Sequence, residues 1–521
     1  MSAGTSLLLF RDTYLDSVVQ LSGTRAMREV PGVDWAAVAM ATEANLETLE
    51  KEGFDPAAWA GAGPGDLFLA VRADSEEARA AAQDAGRDAA FRTREAAATG
   101  VAEPDPRSLA EAVARQADSN VAVISVPGDY AALETHQALS AGLDVLLFSD
   151  NVSLDDEIAL KTRAAQLGRL VMGPGAGTAM LGRTCLGFAN VVAPLAERAG
   201  AVGIVAAAGT GAQEVAALLD RWGVGVTHVV GLGGRDLGAR VGGPMGRLAV
   251  RTMAADPATD AILLVSKPPD PEVARTVVAE AGDTPLVAAL IGMDEPLGGA
   301  AVQAPTLEAG ALAVLGVLGR DAPDPAAGLR AQVDAAIADL DPRRTLVRGL
   351  YSGGTLCYES LVVLADALGP VWSNTPLDEA LAVPAPPSSH VCLDLGEEEY
   401  TQGRPHPMID PEARLEHLRE QGADPEVAAI VLDVVLGHGA HPDPAGELAA
   451  ECARIVADGG RVVVYVLGTE RDPQGLDAQR RAFRDAGCVV TETAARAALA
   501  AAAIARRDPA LAELVPIGQA R

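Results

Sequence analysis

Residues 203–215 read GIVAAAGTGAQEV, and residues 345–361 read TLVRGLYSGGTLCYESL. In each, a short β-prone run ends in a glycine-rich turn that opens a helix with one apolar face. That face carries Val215, Leu218, Leu219 and Trp222 after the first turn, and Cys357, Leu361, Leu364 and Leu368 after the second. The first N–H groups of a helix lack intrahelical acceptors, and the helix dipole adds positive charge at the same end. A glycine turn feeding such an end is therefore a candidate anion site. Gly209, Thr210 and Gly211 form one candidate phosphate cradle; Ser352, Gly353, Gly354 and Thr355 form the other. Taken singly, either turn is equally well read as an ordinary strand–helix connection in which glycine relieves backbone strain. Their recurrence, with Glu214 and Glu359 following each, favours two helix ends gripping one phosphate or acyl phosphate.

Outward from these turns the chain reads as α/β. Residues 198–338 place AVGIVAAA, THVVGLGGRD, DAILLVSKPP and TPLVAALIG between helical stretches, as a doubly wound parallel sheet requires. Residues 341–521 repeat that grammar with SHVCLDL, AAIVLDVVLGHGAHPDPAGELA, RVVVYVLG and CVV. The two blocks read as copies of one flavodoxin-like unit. Residues 115–197 carry VAVISV (121–126), DVLLFSD (144–150) and RLVMGPGAGT (169–178) as strands of a Rossmann-like unit. It contains no GxGxxG, so NAD binding is not supported. Residues 1–110 read as a small α+β domain: strands at Ser6–Phe10, Ala36–Ala41 and Asp66–Arg72, helices at Leu15–Arg28 and Glu76–Arg94, then a linker at Gly100–Pro106.

Composition narrows the function. With 521 residues and a formal charge of −30, the chain repels nucleic acid and anionic membranes, so neither is expected as a partner. An anion pocket in such a chain is expected to lean on backbone N–H groups. Aromatics are scarce at 3%, and the small aliphatic core suits helices packed closely on parallel strands. The five cysteines (Cys185, Cys357, Cys392, Cys452, Cys488) form no CxxC pair, so no disulfide framework or metal site is recognised, and a reducing cytoplasm is expected. No secretory signal is visible, and the alanine-rich run at 495–504 is too short to span a membrane.

Several side chains are candidates for chemistry. GLGGRD (231–236) and LGHGAHPD (436–443) each follow a strand, where open α/β sheets expose ligands. Arg235 and Asp236 are read as substrate partners, and Asp443 equally as a helix N-cap. His438 is a candidate for acid–base work; His441, beside Pro442, is read as a loop hydrogen-bonder. Arg404, in the proline-stiffened loop GRPHPMIDP (403–411), is a candidate carboxylate or phosphate clamp, or part of a plain connector. Lys267 ends a strand and is either an anion partner or a solvated lysine. Cys357 is read as a core cysteine rather than a nucleophile.

These strings, in this order, resemble the FdrA family, relatives of succinyl-CoA synthetase. TYLDSV (13–18), FSDNVSLDDEI (148–158), MGPGAGT (172–178), FANVV (188–192), GTGAQEV, GLGGRDL, SKPP, RGLYSGGTLCYE, GRPHPMID and GHGAHPDPAG carry the resemblance over nearly the whole chain. It implies a CoA-binding-type Rossmann domain followed by two synthetase ligase domains, of α and β carboxyl-terminal type. Gly128 in the weak phosphate loop PGDY, with Gly173 and Pro174, then become candidate CoA-binding positions. The synthetase's phosphorylated histidine sits in a GHAGA string; the corresponding stretch here, 294–311, contains no histidine, and no ATP-grasp motif is present. FdrA-like proteins are linked to purine and allantoin breakdown, where the family looks like a subunit of an oxamate carbamoyltransferase. The resemblance therefore implies an acyl phosphate or amide acid as substrate, companion subunits and self-association. Acyl-CoA synthesis with a separate nucleotide-binding subunit, and a non-catalytic scaffold, are the alternatives. Family members usually read GPDCGT where this chain has Gly175 and Ala176, and ASGTG where it has Ala208. Those departures imply altered substrate use, weakened catalysis, or tolerance, since backbone donors perform most of the anion binding.

Overall fold

A computed structural model of the chain describes residues 4–15, 17–97, 106–401 and 405–515. The expected linker at Gly100–Pro106 lies outside the described residues apart from Pro106, and Arg404 lies outside them altogether. The chain divides into two compact units, Met1–Pro106 with Thr401–Pro405, and Arg107–Tyr400 with His406–Arg521.

In the first unit, β1 (Gly4–Phe10), β2 (Val33–Met40) and β3 (Leu67–Ala73) form an antiparallel sheet of order β1-β3-β2. The central strand β3, LFLAVRA, is almost continuously apolar because both its faces are covered. Leu67, Leu69 and Val71 pack in one cluster with Met27 and Ala82; Phe68 and Ala70 pack in another with Leu49, Phe54 and Trp59.

The second unit holds three sheets. β4 (Val121–Ile124), β5 (Asp144–Leu147) and β6 (Val171–Met172) are parallel and adjacent in that order, joined by helices Gly128–Ser140 and Leu154–Leu167. The expected single strand 169–178 is broken at Gly173-Pro174, and β7 (Thr178–Leu181) with β8 (Thr184–Gly187) then forms a hairpin. That hairpin joins the next sheet, where β7 pairs antiparallel with β10. This sheet comprises β9 (Ala201–Ala206), β10 (Gly225–Gly231), β11 (Ala261–Ser266), β12 (Leu286–Leu290) and β13 (Val302–Ala304), in the order β13-β12-β11-β9-β10-β7-β8. The last sheet holds β14 (Leu346–Tyr351), β15 (Val371–Ser373), β16 (His390–Asp394), β17 (Val427–Val435), β18 (Arg461–Leu467) and β19 (Val489–Thr491), in the order β15-β16-β14-β17-β18-β19. Leaving aside the hairpin and the short β15, both sheets follow the parallel 2-1-3-4-5 order of flavodoxin-like folds. Each glycine turn follows the first strand of its sheet, at the point where strand order reverses.

One apolar core runs through both sheets and the helices Gly209–Arg221, Leu307–Val317, Gly354–Leu368 and Ala494–Arg506. The last of these, AARAALAAAAIAR, is buried from Ala494 to Ala505. A helix without a polar face belongs in a core, and alanine lets it approach the fully buried strand β17 closely. The run at 495–504 is thus an interior helix. Among the described residues no helix is long and apolar enough to cross a membrane.

Two buried glutamates tie the halves together reciprocally. Glu359 Oε1 accepts from Leu307 N at 2.6 Å, capping a helix of the first ligase-like block from the second. Glu214 Oε1 accepts from Ala494 N at 3.2 Å, capping a helix of the second from the first. The two glutamates read as companions of an anion site are therefore interdomain helix caps. Burial pushes the Glu359 carboxyl up to about 8, with Glu308 adding to the shift and the Leu307 N–H opposing it. Burial and the facing Glu359 raise Glu214 well above the usual carboxylate range. Both bind a proton more tightly folded than unfolded, so their stabilisation is complete in acid and is lost as pH rises, for Glu359 through about 8. Glu359→Gln keeps the acceptor for Leu307 and removes the titration. Its melting temperature should fall less than that of the wild type between neutral and alkaline pH. Parallel melting curves for the two proteins would contradict this role.

Candidate functional site

The two glycine turns meet. Thr210 Oγ1 accepts from Thr355 N at 3.3 Å, so the ends of the Gly209 and Gly354 helices stand side by side. The approach demands small residues: a Cβ on Gly211 would stand 2.8 Å from Thr355 Cγ2, and one on Gly353 2.9 Å from Thr210. A cavity of about 550 Å³ opens at this junction, lined among others by Gly209, Thr210, Lys267, Thr355, Arg235 and His406.

The two ends are not equivalent. At the second turn, Asp433 of β17 reaches back beneath the helix: Ser352 N donates to its Oδ1 at 2.8 Å, Ser352 Oγ at 3.0 Å, and Gly353 N donates to its Oδ2 at 2.7 Å. Arg414, equally buried, lies 3.4 Å from Asp433 Oδ1 and also donates to its backbone carbonyl. Ser352 and Gly353, expected in a phosphate cradle, thus hold an internal carboxylate. At the first turn, the N–H groups of Gly209, Thr210 and Gly211 find no protein acceptor among the described residues. The N-cap, Ala208, offers no side-chain acceptor. The first cradle is thus open at all three N–H groups, whereas at the second only Gly354 N is left without an acceptor among the described residues.

A carboxylate and a lysine flank Gly354. A Cβ there would meet Asp394 Oδ2 at 2.5 Å and Lys267 Nζ at 3.6 Å. Lys267 also lies 5.7 Å from the centroid of the Tyr358 ring. Burial pushes the Asp394 carboxyl up to about 6, against the pull of Lys267. It therefore changes charge near neutrality.

Arg235 lines the cavity, but its Nε pairs with Glu157 Oε2 at 2.7 Å and its Nη2 donates to Val152 O at 2.8 Å. Glu157 also pairs with the buried Lys161 at 2.7 Å, and Lys161 with Asp236 at 2.9 Å. Asp236 is therefore a structural partner that fastens the GLGGRD turn to the Rossmann-like unit. His438 does not line the cavity; its side chain is exposed, and its backbone bridges to Ala189. That removes the geometric basis for acid–base work. His441 Nδ1 accepts from Asp443 N at 3.1 Å, and Asp443 caps the following helix. Cys357 is buried, and burial drives its thiol well above the ordinary value.

Gly128, Gly173 and Pro174 do not line the cavity. The glycines serve close backbone approach: a Cβ on Gly128 would stand 2.4 Å from Asp150 O, and one on Gly173 2.2 Å from Leu147 O. Gly175 and Ala176, the positions that depart from the FdrA pattern, do line it, as does Ala208. Among the described residues no cluster of three or more His, Cys, Asp or Glu is arranged to hold a metal.

Comparison with known proteins places this geometry. Residues 350–504 match the CoA-ligase family, and residues 1–106 match the domain described as "AllF, heavy metal-associated domain". Over 513 residues the chain is 38% identical to "Uncharacterized protein YahF" of Escherichia coli (strain K12), covering 94% of this chain and 96% of YahF. The chain belongs to the YahF family. It is also 33% identical over 195 residues to "Succinate--CoA ligase [ADP-forming] subunit alpha 2" of Archaeoglobus fulgidus, covering 37% of this chain and 65% of that subunit. A further relative, "ADP-forming sulfoacetate-CoA ligase subunit SauD" of Bilophila wadsworthia, is 28% identical over 187 residues, covering 34% and 62%. The YahF family protein described here is thus succinyl-CoA-synthetase-like, with a CoA-ligase domain. The domain matched at its N-terminus contains no cysteine, since the first in the chain is Cys185.

Asp433 and His406 were the residues least visible beforehand. Asp433 is the one charge in the β17 run VAAIVLDVV, and a charge inside an apolar strand is the signal that could have found it. Replacing it by Asn leaves the Arg414 guanidinium buried without its counter-charge. Asp433→Asn should therefore cost about 3 kcal/mol in chemical denaturation, as breaking a buried pair does. A loss below about 0.5 kcal/mol, the size of an ordinary surface change, would contradict the pairing.

Proposed function

We propose that this chain is the acyl-phosphate-handling subunit of a carbamoyltransferase, converting oxalurate and phosphate to oxamate and carbamoyl phosphate. The observation that carries the reading is the open helix end at Gly209, Thr210 and Gly211, which faces a cavity that also holds Lys267. Phosphate on those N–H groups would be stabilised by the helix dipole and by the lysine. One of its oxygens attacks the carbamoyl carbon of oxalurate, and the carbon–nitrogen bond to oxamate breaks. The departing nitrogen takes up the proton that phosphate gives up. Asp394, whose carboxyl lies directly behind Gly354 and Gly396 of the cavity wall and is pushed by burial up to about 6, would carry that proton. Lys267 or the uncommitted edge of Arg235 neutralises the oxamate carboxylate. The FdrA resemblance and the match of residues 1–106 to a domain named for AllF support this assignment. Companion subunits follow from the relatives, two of which are named as subunits.

The CoA-ligase match over residues 350–504 favours a second reading, acyl-CoA formation with a separate nucleotide-binding subunit. The stretch equivalent to the synthetase's histidine string contains none, which weighs against a phosphohistidine carrier in this chain.

Gly209 gives a clean test, because a Cβ there meets nothing nearer than Thr178 Oγ1 at 3.9 Å. Gly353 does not, since its substitution strikes Thr210 and Asp433. Gly209→Val should leave the melting temperature unchanged and lower phosphate-dependent formation of oxamate, with the companion subunits present, at least about 100-fold, the scale of one lost transition-state donor. Full activity in the variant would remove the phosphate site from this turn. Activity that requires CoA and a nucleotide instead would establish the ligase reading.

A further inference from the structure

His406 lies in the GRPHPMIDP loop, whose role neither the glycine turns nor the relatives explain. Its ring lines the cavity, 6.4 Å from the Phe188 ring centroid to centroid. Its Nδ1 accepts from Met408 N at 3.2 Å. A nitrogen that accepts from a backbone N–H carries no proton, so the neutral ring must carry its proton on Nε2. Among the described residues Nε2 has no partner. Residue 396 is glycine because the ring closes on it: a Cβ there would stand 2.7 Å from His406 Nε2, 3.0 Å from Ser352 O and 3.2 Å from Asp394 Oδ1.

We propose that His406 is a catalytic hydrogen-bond donor of this site, its Nε2–H supporting the carbonyl oxygen of the substrate's carbamoyl group as that oxygen gains negative charge. The inference rests on the carbamoyl-transfer reading and adds the group that would stabilise its transition state. A neutral imidazole suits the task, since it donates to a developing oxyanion without giving up a full proton. Burial holds the ring neutral, pushing it down to about 4. Asp433 pulls in the opposite direction, and Arg414 reinforces burial. The ring is therefore neither base nor acid in neutral solution. When phosphate attacks, the carbonyl π electrons move to oxygen, where Nε2–H meets them. They return as the carbon–nitrogen bond breaks, and His406 ends with the proton it began with.

The test uses the full chain with its companion subunits and two variants. His406→Ala should lower kcat about 100-fold or more, with the affinity for inorganic phosphate, measured by calorimetry, unchanged within twofold. His406→Gln, which restores an N–H donor, should recover part of that loss. Nitrogen-15 NMR of the histidine rings gives a readout independent of turnover. The His406 ring should hold the Nε2–H tautomer between pH 5 and 8, and its Nε2–H signal should shift when oxamate is added in the presence of phosphate. Activity of His406→Ala within threefold of wild type, or titration of the ring near pH 6.5, would overturn the proposal. Absence of carbamoyl transfer by the wild type, with the oxamate-dependent shift present, would overturn the reaction while leaving the donor in place. Absence of the shift would overturn the donor itself.

Discussion

Two positive helix ends are held side by side in this molecule, and much of the site follows from how each is neutralised. A helix N-terminus carries about half a positive charge, and the Gly209 and Gly354 ends approach within one hydrogen bond, 3.3 Å between Thr355 N and Thr210 Oγ1. Like ends at that distance repel unless anions answer them. The fold answers the second end from within, through the Asp433 carboxylate on Ser352 and Gly353. It leaves the first end unanswered and sets Lys267 beside the same cavity. In a chain of net charge −30, that helix end and Lys267 set positive charge against this cavity.

The same arrangement explains the asymmetry of two otherwise parallel halves. Both sheets have one strand order, both turns follow the first strand, and Glu214 and Glu359 cap each other's domains. The difference lies at the third strand of each half. β17 carries Asp433 close to its glycine turn, whereas β11 ends in Ser266 and is followed by Lys267. One half supplies the internal anion and the other the cation. That division suits a site built to hold a single anionic group against a reacting carbonyl.

Much of the architecture was legible in the sequence because it is local. Each glycine turn, with a β-prone run before it and an amphipathic stretch after it, announces a strand–turn–helix, and the alternation of strands and helices announces parallel sheets. The partners of the turns are not local. Asp433 lies 80 residues from Gly353, inside a strand whose apolar neighbours announce only burial. Glu214 finds Ala494 280 residues away, so a spacing that suggested a ligand site turned out to serve a cap. His438 looked catalytic because it follows a strand, but the GHGAH loop turns its side chain to solvent. His406 was hidden among prolines, and only the fold shows that its Nδ1 is committed to Met408.

The most direct measurement is the stoichiometry of inorganic phosphate bound to the purified chain, by equilibrium dialysis with labelled phosphate. One open helix end, beside a second whose Ser352 and Gly353 N–H groups are taken by Asp433, gives one phosphate per chain. Two per chain would show that the Gly354 end is also free to bind anions. None would show that the Gly209 end is an ordinary strand–helix turn.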